Sequence, residues 1–174
     1  AQTDSVRIYT SYELSVNYWY LNQDSVIHYA LISKQLAEKS NNQNYVAKSL
    51  NSLGIAYLNK SDFKNSLQHF LEALRMNEKS GDERNLASNL NNIGTAYIHL
   101  EDYDKALEYL YKSLELAIKT NNLKHQAAIQ LNIGDIFKSK GDLDKGLWYL
   151  LKSKNISEEL KDEMGISEVY YNIG

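Results

Sequence analysis

The chain has no cysteine and no proline. Without cysteine there are no disulfides, no thiol nucleophiles and no cysteine–zinc sites. Without proline, helices run uninterrupted, and the work of stopping them falls to Gly, Asn and Asp. Basic charge is also scarce: 19 Lys and Arg stand against 22 Asp and Glu, a net charge of -3. A general nucleic-acid binder needs a basic surface to replace phosphate counterions, so that class is not expected. Lys138, Lys140, Lys145, Lys152 and Lys154 do crowd one stretch, but Asp142 and Asp144 lie among them and Glu158, Glu159, Asp162 and Glu163 follow. That is a solvated surface. No apolar run approaches the roughly 20 residues of a membrane-spanning helix, so no direct membrane insertion is expected.

What is present is periodicity. An Asn or Asp stands at every twentieth residue: Asn22, Asn42, Asp62, Asp82, Asp102, Asn122, Asp142 and Asp162. Gly54, Gly94, Gly134 and Gly174 follow one another at 40 residues. A fixed period is the mark of a solenoid. Between the Asx positions, apolar residues recur in steps of three and four, as in Leu90, Ile93, Ala96 and Tyr97, then Ala106, Leu107, Leu110, Tyr111, Leu114 and Ile118. These steps predict amphipathic helices, two per 40 residues. Each Asx is expected to cap the helix it opens, and Gly81 and Asn121 to close the helix before in a left-handed conformation. A mid-helix glycine costs about 1 kcal/mol relative to Ala. Its repetition predicts close approach of the paired helix, met by Ser66, Ala106 and Gly146.

The run Leu90-x-x-Ile93-Gly94-x-x-Tyr97 followed by Ala106-x-x-Tyr109-Leu110 resembles the tetratricopeptide repeat. Full copies cover 44–83, 84–123 and 124–163. Residues 1–43 read as a degenerate capping copy with Leu14 in the glycine place, and 164–174 as a truncated fourth. The period is 40 against about 34 for the standard repeat, and the usual proline after the second helix is missing. The longer form is similar to the repeats of kinesin light chains and of bacterial peptide-sensing regulators of the Rap type. HEAT and armadillo repeats share the period but lack the Gly-x-x-aromatic signature. The resemblance implies an all-α fold, a right-handed α-solenoid of antiparallel helix pairs, in one array over 1–174. Val169, Tyr170 and Ile173 are expected to lie exposed on the last helix, with the natural chain continuing past Gly174.

No catalytic constellation stands out, and the fragment is read as non-enzymatic, without metal or cofactor. The histidines are His28, His69, His99 and His125; no pair has the i, i+4 spacing of a helical zinc site. His69 takes the place of Tyr29, Tyr109 and Tyr149 and reads as packing. Tyr57 and Tyr97 hold consensus packing positions too. Tyr12, Tyr18, Trp19 and Tyr20 form a cluster read as packing of the terminal unit or contact with a partner.

The resemblance also implies where a ligand would sit, on the first helices of successive repeats. Carried over position by position, the candidate binding residues are Asn51, Asn91, Asn92, Thr95, His99, Asn132, Asp135, Lys138 and Asn172. Ser52, Asn92, Asn132 and Asn172 stand two before each glycine. An amide donates and accepts, so a row of amides can bond an extended peptide backbone without reading its side chains. The Lys and Arg of carboxylate-clamping chaperone adaptors are replaced at matching positions mostly by Asn, Ser, Ala and Ile, which argues against that ligand class. The expected partner is a protein or peptide. The resemblance further suggests the sensory part of a larger protein, such as a histidine kinase or transcription regulator of Bacteroidetes type. A free-standing adaptor and a module that self-associates through open ends are the alternatives. The start at Ala1-Gln2-Thr3-Asp4-Ser5, without Met, fits signal-peptide cleavage or cloning, so an extracytoplasmic place is expected slightly ahead of a cytoplasmic one.

Overall fold

The computed structural model describes residues 2–18 and 22–173, with no side-chain detail for 2 and 3. The periodicities correspond to nine helices among these residues and no strand: α1 (Gln2–Asn17), α2 (Gln23–Lys39), α3 (Gln43–Asn59), α4 (Phe63–Ser80), α5 (Glu83–His99), α6 (Tyr103–Lys119), α7 (Leu123–Ser139), α8 (Leu143–Leu160) and α9 (Glu163–Ile173). The chain divides into two compact units, Ala1–Asp82 with α1–α4 and Glu83–Gly174 with α5–α9.

The 20-residue ladder does the capping. Asn22, Asn42, Asp62, Asp102, Asn122 and Asp142 each accept a hydrogen bond from the backbone N–H three residues on. Asp162 does the same for Gly165 at 3.1 Å. Each such cap is worth about 1 kcal/mol over Ala. Gly81 and Asn121 are left-handed, as expected. So are Asn41, Ser61, Glu101, Gly141 and Lys161. The position before every described cap from Asn42 to Asp162 therefore turns the chain through αL, whichever residue stands there.

In unit 1, α3 packs on α4, and α1 lies against both α2 and α3. Its core holds Ile8, Ala37, Val46, Leu50 and Ala73. In unit 2, α5 pairs with α6 and α7 with α8, while α7 touches α5, α6 and α9. Ala106, Leu110, Ala117, Ile129, Ile133, Ile136 and Phe137 form its core. The buried stripes repeat at 40: Ser66, Phe70, Ala73 and Asn77 on α4 become Ala106, Leu110, Ser113 and Ala117 on α6. Full burial of a Leu or Phe side chain contributes about 1.5–3 kcal/mol, so these stripes hold the pairs together.

The mid-helix glycines are close-approach positions. A Cβ on Gly94 would lie 2.7 Å from Leu110 Cγ, and one on Gly134 would lie 2.8 Å from Leu150 Cγ. The expected neighbours contribute backbone: the Ala106 carbonyl lies 3.3 Å from the Gly94 point and the Gly146 carbonyl 3.0 Å from the Gly134 point. The tightest contact comes one turn later, from Phe70, Leu110 and Leu150. Gly174 lies outside the described residues.

Val169 corrects an expectation. It is fully buried, because α9 already packs on α7 and α8. Tyr170 and Ile173 are exposed, at 56% and 39%.

Candidate functional site

Aromatic pairs mark each helix pair. Tyr57 stacks on His69 at 5.4 Å, Tyr97 on Tyr109 at 5.6 Å and Phe137 on Tyr149 at 5.8 Å. His69 thus packs where tyrosine packs elsewhere. Burial holds its pKa below the usual histidine value, with Glu72 opposing and Lys34 reinforcing the shift. Of the tyrosine cluster, Tyr18 stacks on Tyr29 at 5.7 Å and Tyr12 meets Tyr45 edge to face at 5.7 Å. Trp19 and Tyr20 lie outside the described residues.

The candidate binding residues fall in both units. Asn51 lies on α3 of unit 1 and is half-buried. The rest belong to unit 2: Asn91, Asn92, Thr95 and His99 on α5, Asn132, Asp135 and Lys138 on α7, and Asn172 on α9. Because α7 lies beside both α5 and α9, these first helices present neighbouring side chains.

Two groups are brought together. Asn132 Nδ2 donates to Asn91 Oδ1 at 3.1 Å and approaches Thr95 Oγ1 at 3.4 Å. Thr95 Oγ1 in turn donates to the Asn91 carbonyl at 3.1 Å, which holds it in place. The amides therefore do satisfy one another in part. Among the described residues nothing pairs with Asn91 Nδ2 or Asn132 Oδ1, so the bridged pair keeps an amide donor and an amide acceptor uncommitted, on two half-buried residues. In the second group, Lys138 Nζ donates to the Asn172 carbonyl, and Asn172 Nδ2 donates to the Glu168 carbonyl at 3.0 Å. The structure does not join Asp135 to either group by a hydrogen bond. His99 is exposed at the end of α5. Asn51, Asn92 and His99 have partners of their own.

Tyr45 is a residue the sequence reading passed over. It lies between Tyr12 and Lys48, whose ammonium sits 5.0 Å from the Tyr45 ring centre and 5.8 Å from that of Tyr12. Burial, then Glu13 and Tyr45, raise the pKa of Tyr12 above the ordinary tyrosine value. A tyrosine at the start of α3 was the available signal, since Asn85 and His125 stand there in the next two repeats.

Among the described residues no group of His, Asp and Glu is placed to hold a metal, and no helix is long and apolar enough to cross a membrane.

Residues 45–119 match the family model of the tetratricopeptide repeat. No curated protein sequence matches the chain. Solved structures do. The chain superposes on aspartyl phosphate phosphatase F from Bacillus subtilis with a TM-score of 0.86 at 19% identity, over 95% of this chain and 45% of that one. A Rap protein complexed with competence and sporulation factor gives a TM-score of 0.85 at 16% identity, over 93% and 46%. BtubC (BKLC) from P. vanneervenii gives 0.69 at 14% identity, over 98% and 81%. The chain spans about half the length of the first two. These likenesses fix the fold, an all-α helical-repeat solenoid type. The chain is a repeat protein of the tetratricopeptide type.

Proposed function

We propose that the chain is a protein-interaction scaffold whose first helices in unit 2 take an extended peptide segment. The single observation that carries this reading is the Asn91–Asn132 bridge. It leaves an amide donor on α5 and an amide acceptor on α7. A peptide group offers one carbonyl and one N–H, so the pair matches it in number and kind without selecting a side chain. Thr95 locks Asn132 from behind, which lowers the ordering cost on binding. The Rap protein solved in complex with competence and sporulation factor supports ligand capture on this fold.

The larger setting belongs to the same proposal: one continuous array over 1–174, serving as the recognition part of a signalling protein such as a sensor kinase or transcription regulator. A second reading, self-association, is favoured by Leu143, Leu147, Leu151, Tyr170 and Tyr171, all exposed on α8 and α9. Concentration-dependent sedimentation would reveal it.

The test of the first reading is selection from a random peptide display library. Enriched peptides should bind roughly ten-fold more weakly to the Asn91→Ala/Asn132→Ala double variant, a loss of about 1.4 kcal/mol. Its far-UV circular dichroism should match that of the parent. A library that yields no enriched peptide, or peptides indifferent to the double variant, overturns the reading.

A further inference from the structure

Trp148 stands where the repeat does not call for it. The same position holds His28, Gln68 and Glu108 in the three preceding second helices, all of them polar and exposed. Trp148 is 51% exposed. Leu151 and Lys152, three and four residues on, share its face of α8. Leu151 is 43% exposed, and its counterpart on α6, Tyr111, is 40% exposed. Leu143 and Leu147 differ in this respect. Their counterparts Tyr103 and Leu107 lie half-buried against the core, so the repeat accounts for that pair as packing positions. It does not account for Trp148, Leu151 and Tyr111.

The side chains join into one patch across α6 and α8 of unit 2. Tyr149 and Tyr111 bring their hydroxyls to 3.4 Å. The Trp148 ring meets Tyr149 edge to face, with centroids 4.7 Å apart. Tyr149 in turn stacks on Phe137, a member of the core, so the indole is propped on fixed rings. The Lys152 ammonium lies 3.6 Å from the Trp148 ring centre, and that of Lys145 lies 4.1 Å from the Phe137 ring centre. Among the described residues no carboxylate pairs with either ammonium. The neighbouring charges are already matched: Glu108 pairs with Lys112, Asp104 with Lys140 and Glu158 with Lys154. Asp144 remains, one turn before Trp148. The two tyrosine hydroxyls share one hydrogen, which leaves the other without an acceptor. The patch is therefore aromatic and apolar at its centre, with an excess of cationic and donor groups at its edge.

We propose that this patch is a protein-docking surface whose partner is an amphipathic helix with an apolar stripe flanked by Asp or Glu. Trp and Tyr carry much of the binding energy at protein interfaces, because they offer large areas at low rotamer cost. Their stacking here orders them before a partner arrives. Acidic flanks meet Lys145 and Lys152, and a carboxylate accepts the unshared tyrosine hydrogen. An anionic lipid surface fits less well, since Glu158, Glu159, Asp162 and Glu163 follow at the end of α8 and would be repelled from it. The surface lies on second helices and shares no residue with the Asn91–Asn132 bridge, so it goes beyond the reading given for that pair.

The test uses the whole chain and a display library of helical peptides randomised along one face. Clones are selected on the parent protein and counter-selected on Trp148→Glu. That variant carries the residue found at Glu108, so its fold should hold, and circular dichroism checks this. The enriched peptides should be acidic and amphipathic. The strongest, once synthesised, should bind the parent at least about ten-fold more tightly than Trp148→Glu. Lys152→Glu should weaken it about five-fold, and a peptide with Lys in place of Asp and Glu should reverse that preference. Fluorine NMR of fluorotryptophan-labelled protein reads Trp148 directly, its signal assigned by its loss in Trp148→Glu. Three results would each overturn the proposal: no clone lost on Trp148→Glu, enriched clones without an acidic excess, or a Trp148 signal that moves with phosphatidylglycerol vesicles and not with the peptide. The Asn91→Ala/Asn132→Ala variant should bind this peptide as the parent does, so failure here and failure of the asparagine reading are told apart.

Discussion

The ring of Phe70 fills the space that a Cβ on Gly54 would need, with Cδ1 2.5 Å from that point. Phe70 is itself fully buried, so the ring has nowhere to retreat. Two effects of Gly54→Ala oppose each other. Helix propensity favours alanine by about 1 kcal/mol, whereas overpacking a full core costs about 1–3 kcal/mol. The clash should win. Urea denaturation is expected to show a net loss of about 1–2 kcal/mol, and equal or greater stability of the variant would show that α3 and α4 can separate without penalty.

The left-handed positions give the opposite sign. Glu101 and Ser61 sit at φ 58° and 59°, where a side chain is strained. Glu101→Gly and Ser61→Gly should each stabilise by about 0.5–1 kcal/mol. Gly81, at φ 71°, has open space around it, so Gly81→Ala tests conformation alone and should lose about 1 kcal/mol. Midpoints in guanidinium chloride that fail to move in these directions would argue that helix ends fray and relieve the strain.

Much of the fold was written in spacing. Asx residues 20 apart announced the caps, and glycines 40 apart announced paired helices, because each is a local demand of the backbone. The left-handed turn was legible only at Gly81 and Asn121. Ser61, Glu101 and Lys161 adopt it because the following cap and helix require it, and their side chains give no sign. Likewise the repeat named Ser66, Ala106 and Gly146 as neighbours of the glycines, yet Phe70, Leu110 and Leu150 make the tighter contact. Which large side chain reaches across depends on rotamer and crossing geometry. Val169 is buried because α9 packs on α7 and α8, which together cover the face that carries it. In the candidate site, the family pattern picked the amide positions. Only the geometry pairs Asn132 with Asn91 rather than with Asn92, and only the geometry lays Lys48 over Tyr45.

Acid should weaken both units. Burial lowers the pKa of His69 in unit 1 and of His125 in unit 2, with a hydrogen bond to the Ala87 backbone partly offsetting the shift at His125. One nitrogen of each, Nδ1 of His69 and Nε2 of His125, is buried without a partner. An unfolded histidine protonates near about 6.5, whereas the folded ones resist. Below that pH the unfolded chain binds more protons, so stability is intact above about 6.5 and falls as pH drops towards the folded pKa values. Melting temperatures from pH 7.5 to 5 should decline, and less steeply in His69→Tyr, which installs the residue found at Tyr109 and Tyr149. An identical decline in His69→Tyr and in His125→Asn would place the acid sensitivity on carboxylates instead.

The asparagine ladder makes its own demand. Asn92 and Asn132 hold the same place one repeat apart, both half-buried. Asn132 spends its donors on Asn91 and Thr95, and Asn92 has a partner of its own. Partly exposed neutral hydrogen bonds are worth about 0.5–1.5 kcal/mol each, and the core stripes of α5 and α7 are untouched by either change. The Asn92→Ala/Asn132→Ala variant should therefore keep its helicity and melt within a few degrees of the parent. Its capture of a library-selected peptide should weaken by roughly ten-fold or more, because the acceptor on α7 and the anchor for Asn91 are both gone. Fluorescence anisotropy with the labelled peptide reads the difference directly. Unaltered affinity in a folded variant would mean that the amides serve only to tie α5 to α7.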